Sequence, residues 1–262
     1  MPNVVRAEVY RLRHAPMTWI VLVIATVSAV AYVWLAHLLA EGRLAASAAN
    51  SGSVFSDVMI VYLLGALLIG AGISSDFESR AVHDQILAHS RADIVAAKTV
   101  TSTMTTMALV LPYGLVALIA FLSGMKVAPF LGTAVLSIAS NEAGLSASPA
   151  HVARVCALIV VTALIYAARL AVCIPLAFVV KKPVIVMAFG FGWNFLADFL
   201  ASLADGRPVI GHLAAVTPYA RNYELTLTSS TGTLLAAAGV SVLFIVAMGV
   251  LTHLLFRRSE IK

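Results

Sequence analysis

Six long apolar stretches, separated by shorter connections, decide what this chain is able to fold into. They run from Met17 to Leu39, Val54 to Ile73, Val100 to Ser123, Val155 to Val180, Pro183 to Leu203 and Thr233 to Phe256. A helix needs roughly 20 mostly apolar residues to cross about 30 Å of hydrocarbon, and each stretch meets that need. All are continuously apolar instead of alternating over about ten residues, which selects helices over barrel strands. Apolar residues are 61% of the chain and charged ones only 11%, against about 25% charged in a soluble domain. The mean hydropathy of +0.98 agrees. The expected fold is all-α: a polytopic membrane protein, with residues 1–262 forming one transmembrane domain.

Orientation follows from Lys and Arg beside the span ends. Arg6, Arg11, Arg13, Arg80, Arg91, Lys98, Lys181, Lys182, Arg257, Arg258 and Lys262 collect on one side, eleven against the five of Arg43, Lys126, Arg154, Arg207 and Arg221. Both termini are therefore expected in the cytoplasm, with the protein in the cell membrane. Before the first span, Val5, Val9 and Leu12 recur at i, i+4 and i+7 beside Arg6, Tyr10 and Arg13. This pattern predicts an amphipathic helix lying in the membrane surface, broken from the span by Pro16. Charge gathered at span ends is explained by anionic lipid headgroups and not by nucleic acid, despite a pI of 9.4. The outer segments Val127 to Ile138 and Val209 to Val216 are too short to span, so interfacial or re-entrant helices are expected there.

Several chemistries are excluded. No Gly-x-x-x-x-Gly-Lys-Ser/Thr loop is present, so the chain does not hydrolyse ATP by that mechanism. Gly190-x-Gly192 lies inside a span and reads as helix packing, as does Ala66 with Gly70. Cys156 and Cys173 share the fourth span about 25 Å apart, at 1.5 Å per residue, too far to bridge. His83, Asp84, His89 and Asp93 match no compact metal signature.

The one long hydrophilic interruption runs from Ser74 to Lys98, and lipid would expel it. Ser75 with Glu78 forms a capping-box pattern that predicts a helix start. Ser90 with Asp93 predicts a second start leading into the third span, with a break near His89. Three spans carry a single charge each: Asp57, Arg169 and Asp198. Such a residue near a helix centre costs at least about 2.5 kcal/mol, so partners are expected. Depth counting sets Arg169 opposite Asp198, as a structural or a substrate-facing pair, while Asp57 is expected to reach outer water. Pro112-Tyr113-Gly114 and Pro175 are expected to loosen their helices.

The acidic pair Asp76 and Glu78 after the second span, then Ser90-Arg91, then Lys98 before the third, resembles the permease subunits of ABC type-2 exporters. The resemblance covers the whole chain: a basic amphipathic start, six spans, Pro218 in an outer segment before the sixth, and a short basic end from Arg257 to Lys262. The family's frequent Glu-x-x-Gly-Thr is replaced here by Glu78-Ser79-Arg80-Ala81-Val82. The resemblance implies a coupling helix in this segment, seated in a groove of a separate ATPase subunit that carries ATP and Mg. It also implies a second permease copy or paralogue, paired through the first and fifth spans. Phe77 is the expected apolar anchor, with Glu78, Arg80 and Arg91 at the rim. The chain itself is expected to hold no catalytic site or cofactor and to move an amphiphilic drug, lipid or peptide. Competing readings are an ion- or proton-coupled secondary transporter with Arg169, Asp198 and Asp57 as relay, an intramembrane enzyme, and a sensor or immunity component on the same scaffold.

Overall fold

A computed structural model describes residues 2–45, 52–79, 81–128, 134–140, 148–204, 215–220 and 223–258. Among these the regular structure is helical throughout. Helix α1 covers Pro2–His14 and α2 Pro16–Ala40; after a 3-10 turn at Ser53–Phe55, α3 covers Asp57–Glu78. The short α4 spans Ala81–Ala88 and the long α5 Arg91–Leu122. Then follow α6 at Val135–Ser140, α7 at Pro149–Leu170, α8 at Cys173–Val180, α9 at Pro183–Ala204 and α10 at Thr231–Arg258. Six helical stretches are long and apolar enough to cross a membrane: α2, α3, α5, α7 with α8, α9 and α10. Each coincides with one of the six stretches read from the sequence. Residues 129–133 of the Val127–Ile138 segment, and residues 205–214 and 221–222 of the third outer loop, lie outside the described residues.

Local chemistry sets the boundaries. Pro16 lacks the N–H that would continue α1, so α2 starts afresh at a proline, a favoured first position. Ser56, Ser90 and Ser148 cap α3, α5 and α7, their hydroxyls accepting from the amides of Met59, Asp93 and His151. Pro112 is accommodated inside an unbroken α5, whereas Pro175 coincides with a break. Without a proline N–H, the Ala171 carbonyl accepts instead from Ile174 at 3.0 Å, and α7 gives way to α8 at residues 171–172. Cys156 on α7 and Cys173 on α8 are both free.

Helices α3 and α9 make the most extensive contact between elements, and small residues let their backbones approach. A Cβ added at Gly190 would lie 2.3 Å from Cys173 Sγ and 2.9 Å from Ala66 Cβ; at Gly70 it would meet the Pro183 carbonyl oxygen at 2.9 Å. Gly192 faces open space instead, so only half of the Gly190-x-Gly192 pair packs within the chain. The core is threaded by tyrosines 32, 62 and 113, all fully buried. Lys181, in the left-handed region at φ 58°, ends α8 and turns the chain into α9.

Candidate functional site

Helix α1, α4, the end of α10 and the α8–α9 turn meet at one end of the bundle, and most of the expected site residues gather there. Val4, Glu8 and Arg11 fall at i, i+4 and i+7, one stripe of α1, and Val4 and Glu8 are buried. The inward stripe of α1 is thus part charged, rotated from the all-apolar Val5-Val9-Leu12 stripe expected. Lys98 Nζ lies 2.9 Å from Glu8 Oε1 and also pairs with Asp76. Arg11 donates to Asp76, to Glu8 Oε2 at 2.9 Å and to the Gly72 carbonyl at 2.8 Å. Lys98 reaches the same carbonyl at 3.0 Å, and Gln85 of α4 donates to Asp76 Oδ2 at 3.3 Å.

Two cations and two carboxylates therefore cancel in a place where a lone charge would be costly. They fasten four elements together: α1, the end of α3, α4 and the start of α5. Asp76 and Lys98, expected within the docking segment, are instead the buried centre of this clasp, with 3% and 4% of their side chains exposed. A cavity of about 20 Å³, the size of one water, adjoins Glu8, Arg11 and Lys98 and is lined in part by Thr101, Ser102 and Thr105 of α5.

Phe77 and Arg91 also turn inward. Phe77 packs edge-on against Phe178 of α8 and Phe256 of α10, with ring centroids 5.6 and 6.3 Å away, and Lys181 Nζ sits 5.1 Å above its ring. Arg91 donates to the carbonyls of Phe256 and Arg257 at 2.9 and 3.0 Å, satisfying the open end of α10 and favoured there by the helix dipole. Ser90 caps α5 as expected and is exposed, as is Glu78; Arg80 lies outside the described residues. The expected capping box at Ser75 is not formed. Helix α3 runs on through Ser75 to Glu78, the serine hydroxyl donating back to the Ala71 carbonyl, because the clasp on Asp76 and the Phe77 contacts hold this turn in the bundle.

The residue that does face outward is Leu87. It lies beside Val82 and Ile86 on α4, but those two point into the bundle, while Leu87 is 88% exposed. Its signal in the sequence is its register: one position past Ile86, it falls off the inward stripe.

A second cluster sits deeper. Arg169, on the last turn of α7, lies 3.2 Å from Asp198 Oδ1 of α9, the pair expected from depth counting. It also donates to the Tyr62 hydroxyl at 2.6 Å and to the Pro218 carbonyl at 3.0 Å. Its own carbonyl, at the helix break, accepts from Tyr219 at 3.0 Å, and its guanidinium stands 5.3 Å over the Tyr219 ring. Asn194, fully buried, donates to the Gly190 carbonyl at 2.7 Å. The segment around Pro218 thus enters the bundle at the level of the α7–α8 break, which the sequence reading placed only as part of an outer loop.

Asp57 departs from its expectation. It is fully buried, and its Oδ2 accepts from the amides of Ala134 and Val135 at 3.1 and 2.7 Å and from the Tyr166 hydroxyl at 3.0 Å. It is the cap of α6 rather than a group in outer water. Compared with models of known protein families and with curated proteins, the chain matches none.

Proposed function

We propose that this chain is the membrane-spanning subunit of an ATP-driven ABC exporter in the cell membrane, carrying an amphiphilic cargo with energy supplied by a separate ATPase. The observation that carries the reading is α4: a short helix outside the spans, with Leu87 88% exposed and a hydrogen bond from Gln85 to the buried Asp76. An exposed leucine on a lever of this kind gains about 1.5–3 kcal/mol by entering a partner's apolar pocket. Force applied to α4 passes through Asp76 to α1, α3 and α5 together, and rigid-body motion of a partner is converted into movement of spans. Leu87 takes the anchoring role assigned from sequence to Phe77; Glu78 remains at the rim, and Ser90 stays an exposed residue of the docking segment. ATP and Mg belong to the partner, and a second permease copy or paralogue completes the transport path.

A photo-crosslinking residue at Leu87 tests this in native membranes. The expected adduct contains an ATPase subunit with a Gly-x-x-x-x-Gly-Lys-Ser/Thr loop, and Leu87→Asp should reduce its recovery at least about tenfold, as for loss of an interface hot spot. Adducts devoid of such a subunit, together with transport that tracks a proton gradient and ignores ATP, would instead establish a secondary transporter.

A further inference from the structure

On the side of the clasp away from α5, the hinge between α1 and α2 stands off α3 and leaves a groove of about 260 Å³. Its walls are apolar, chiefly Leu12, Met17, Leu68 and Ala71, and Arg11 stands at its rim. Gly72 lines it too, and a Cβ added there would meet nothing within 4 Å, so the helix presents bare backbone to open space. The groove runs from Leu68 to Ser75, within the last three turns of α3, whose 22 residues cover about 33 Å at 1.5 Å per residue. It therefore leads from the hydrocarbon to the boundary with the headgroups.

Three further features mark the same level. Trp19, 58% exposed, directs its indole N–H to the Arg13 carbonyl at 2.8 Å, the posture of an interfacial aromatic anchor. Arg6 and Arg13 are exposed along α1. Arg11 commits Nη1 and Nη2 to the clasp, yet 39% of its side chain stays exposed. Arg11 lines the slot and Arg13 lies in the chain between its lining residues Leu12 and Ala15, so an apolar slot ending at these two basic residues fits a molecule with an acyl chain and a negative headgroup.

We propose that this groove holds one acyl chain of an anionic phospholipid from the surrounding leaflet, its phosphate facing the arginines of α1. The bound lipid fills the space between the α1–α2 hinge and α3 and so braces the clasp from its open side. This site is independent of the transport reading and stands or falls separately.

The test is native mass spectrometry of the full chain released from nanodiscs of equal phosphatidylglycerol and phosphatidylcholine. One phosphatidylglycerol should survive activation that strips other lipids, with a preference of about tenfold or more, the worth of two basic side chains beside a headgroup. Gly72→Phe should abolish that retention by filling the groove from a position with room for the side chain. Thr18→Phe, from the opposite wall, should do the same, and both variants should keep the wild-type unfolding midpoint without added lipid. Equal retention of the two lipids, or undiminished retention in both folded variants, overturns the proposal.

Discussion

Individual side chains carry most of what makes this bundle specific, and two glycines on neighbouring helices show how differently one residue type can be used. Gly190 permits α9 to touch α3 and Cys173; Gly190→Ala should therefore destabilise by about 1–3 kcal/mol through overpacking. Gly72 borders open space, and Gly72→Ala should stabilise by about 0.5–1 kcal/mol, since glycine costs about that much inside a helix. Thermal unfolding in detergent reads both, and midpoints moving in the same direction would contradict the packing described. Sequence alone marked Gly190 and Gly192 alike as packing residues, although only Gly190 meets a neighbour, because the difference lies in which side chain arrives from another helix. The single charges were legible for a firmer reason: hydrocarbon tolerates none unpaired. That argument found the Arg169–Asp198 pair. It missed the burial of Asp57, because the backbone amides that satisfy it come from a segment whose path the sequence does not mark.

Between elements, the clasp makes α1 dependent on α3 and α5. Lys98→Met leaves Glu8 and Asp76 facing only Arg11, and breaking a buried pair in this way should cost about 3–5 kcal/mol. Adding Asp76→Leu restores the balance of charge, with Glu8 and Arg11 still 2.9 Å apart. The double variant should recover part of the lost unfolding midpoint; no recovery would argue that the pairing is not what holds these helices. The six spans, the Pro16 break and the Ser90 cap were legible because apolar length, proline and capping act locally. Expectations for Ser75, Phe77 and Arg91 failed together, since each residue answers to a distant helix: Ser75 to the continuation of α3, Phe77 to α8 and α10, Arg91 to the end of α10. Polar composition told that the segment leaves the lipid, not which of its side chains turn back.

Taken as a whole, the molecule gathers α1, α4, the end of α10 and the Lys181 turn at one end, so a single measurement fixes its orientation. Under the proposed function that end faces the cytoplasm. Leu87→Cys should resist a membrane-impermeant maleimide applied to intact cells and react once the membrane is opened; labelling in intact cells would reverse the topology. The clasp also has a bearing on how the chain is made. Glu8 leaves the ribosome with Arg11 close behind it, but long before Asp76 and Lys98, the residues that complete the clasp, have been synthesised. The amino-terminal helix consequently has no settled seat during insertion of the first two crossings, and reaches it only when the third delivers its lysine, making final docking a late event in biogenesis.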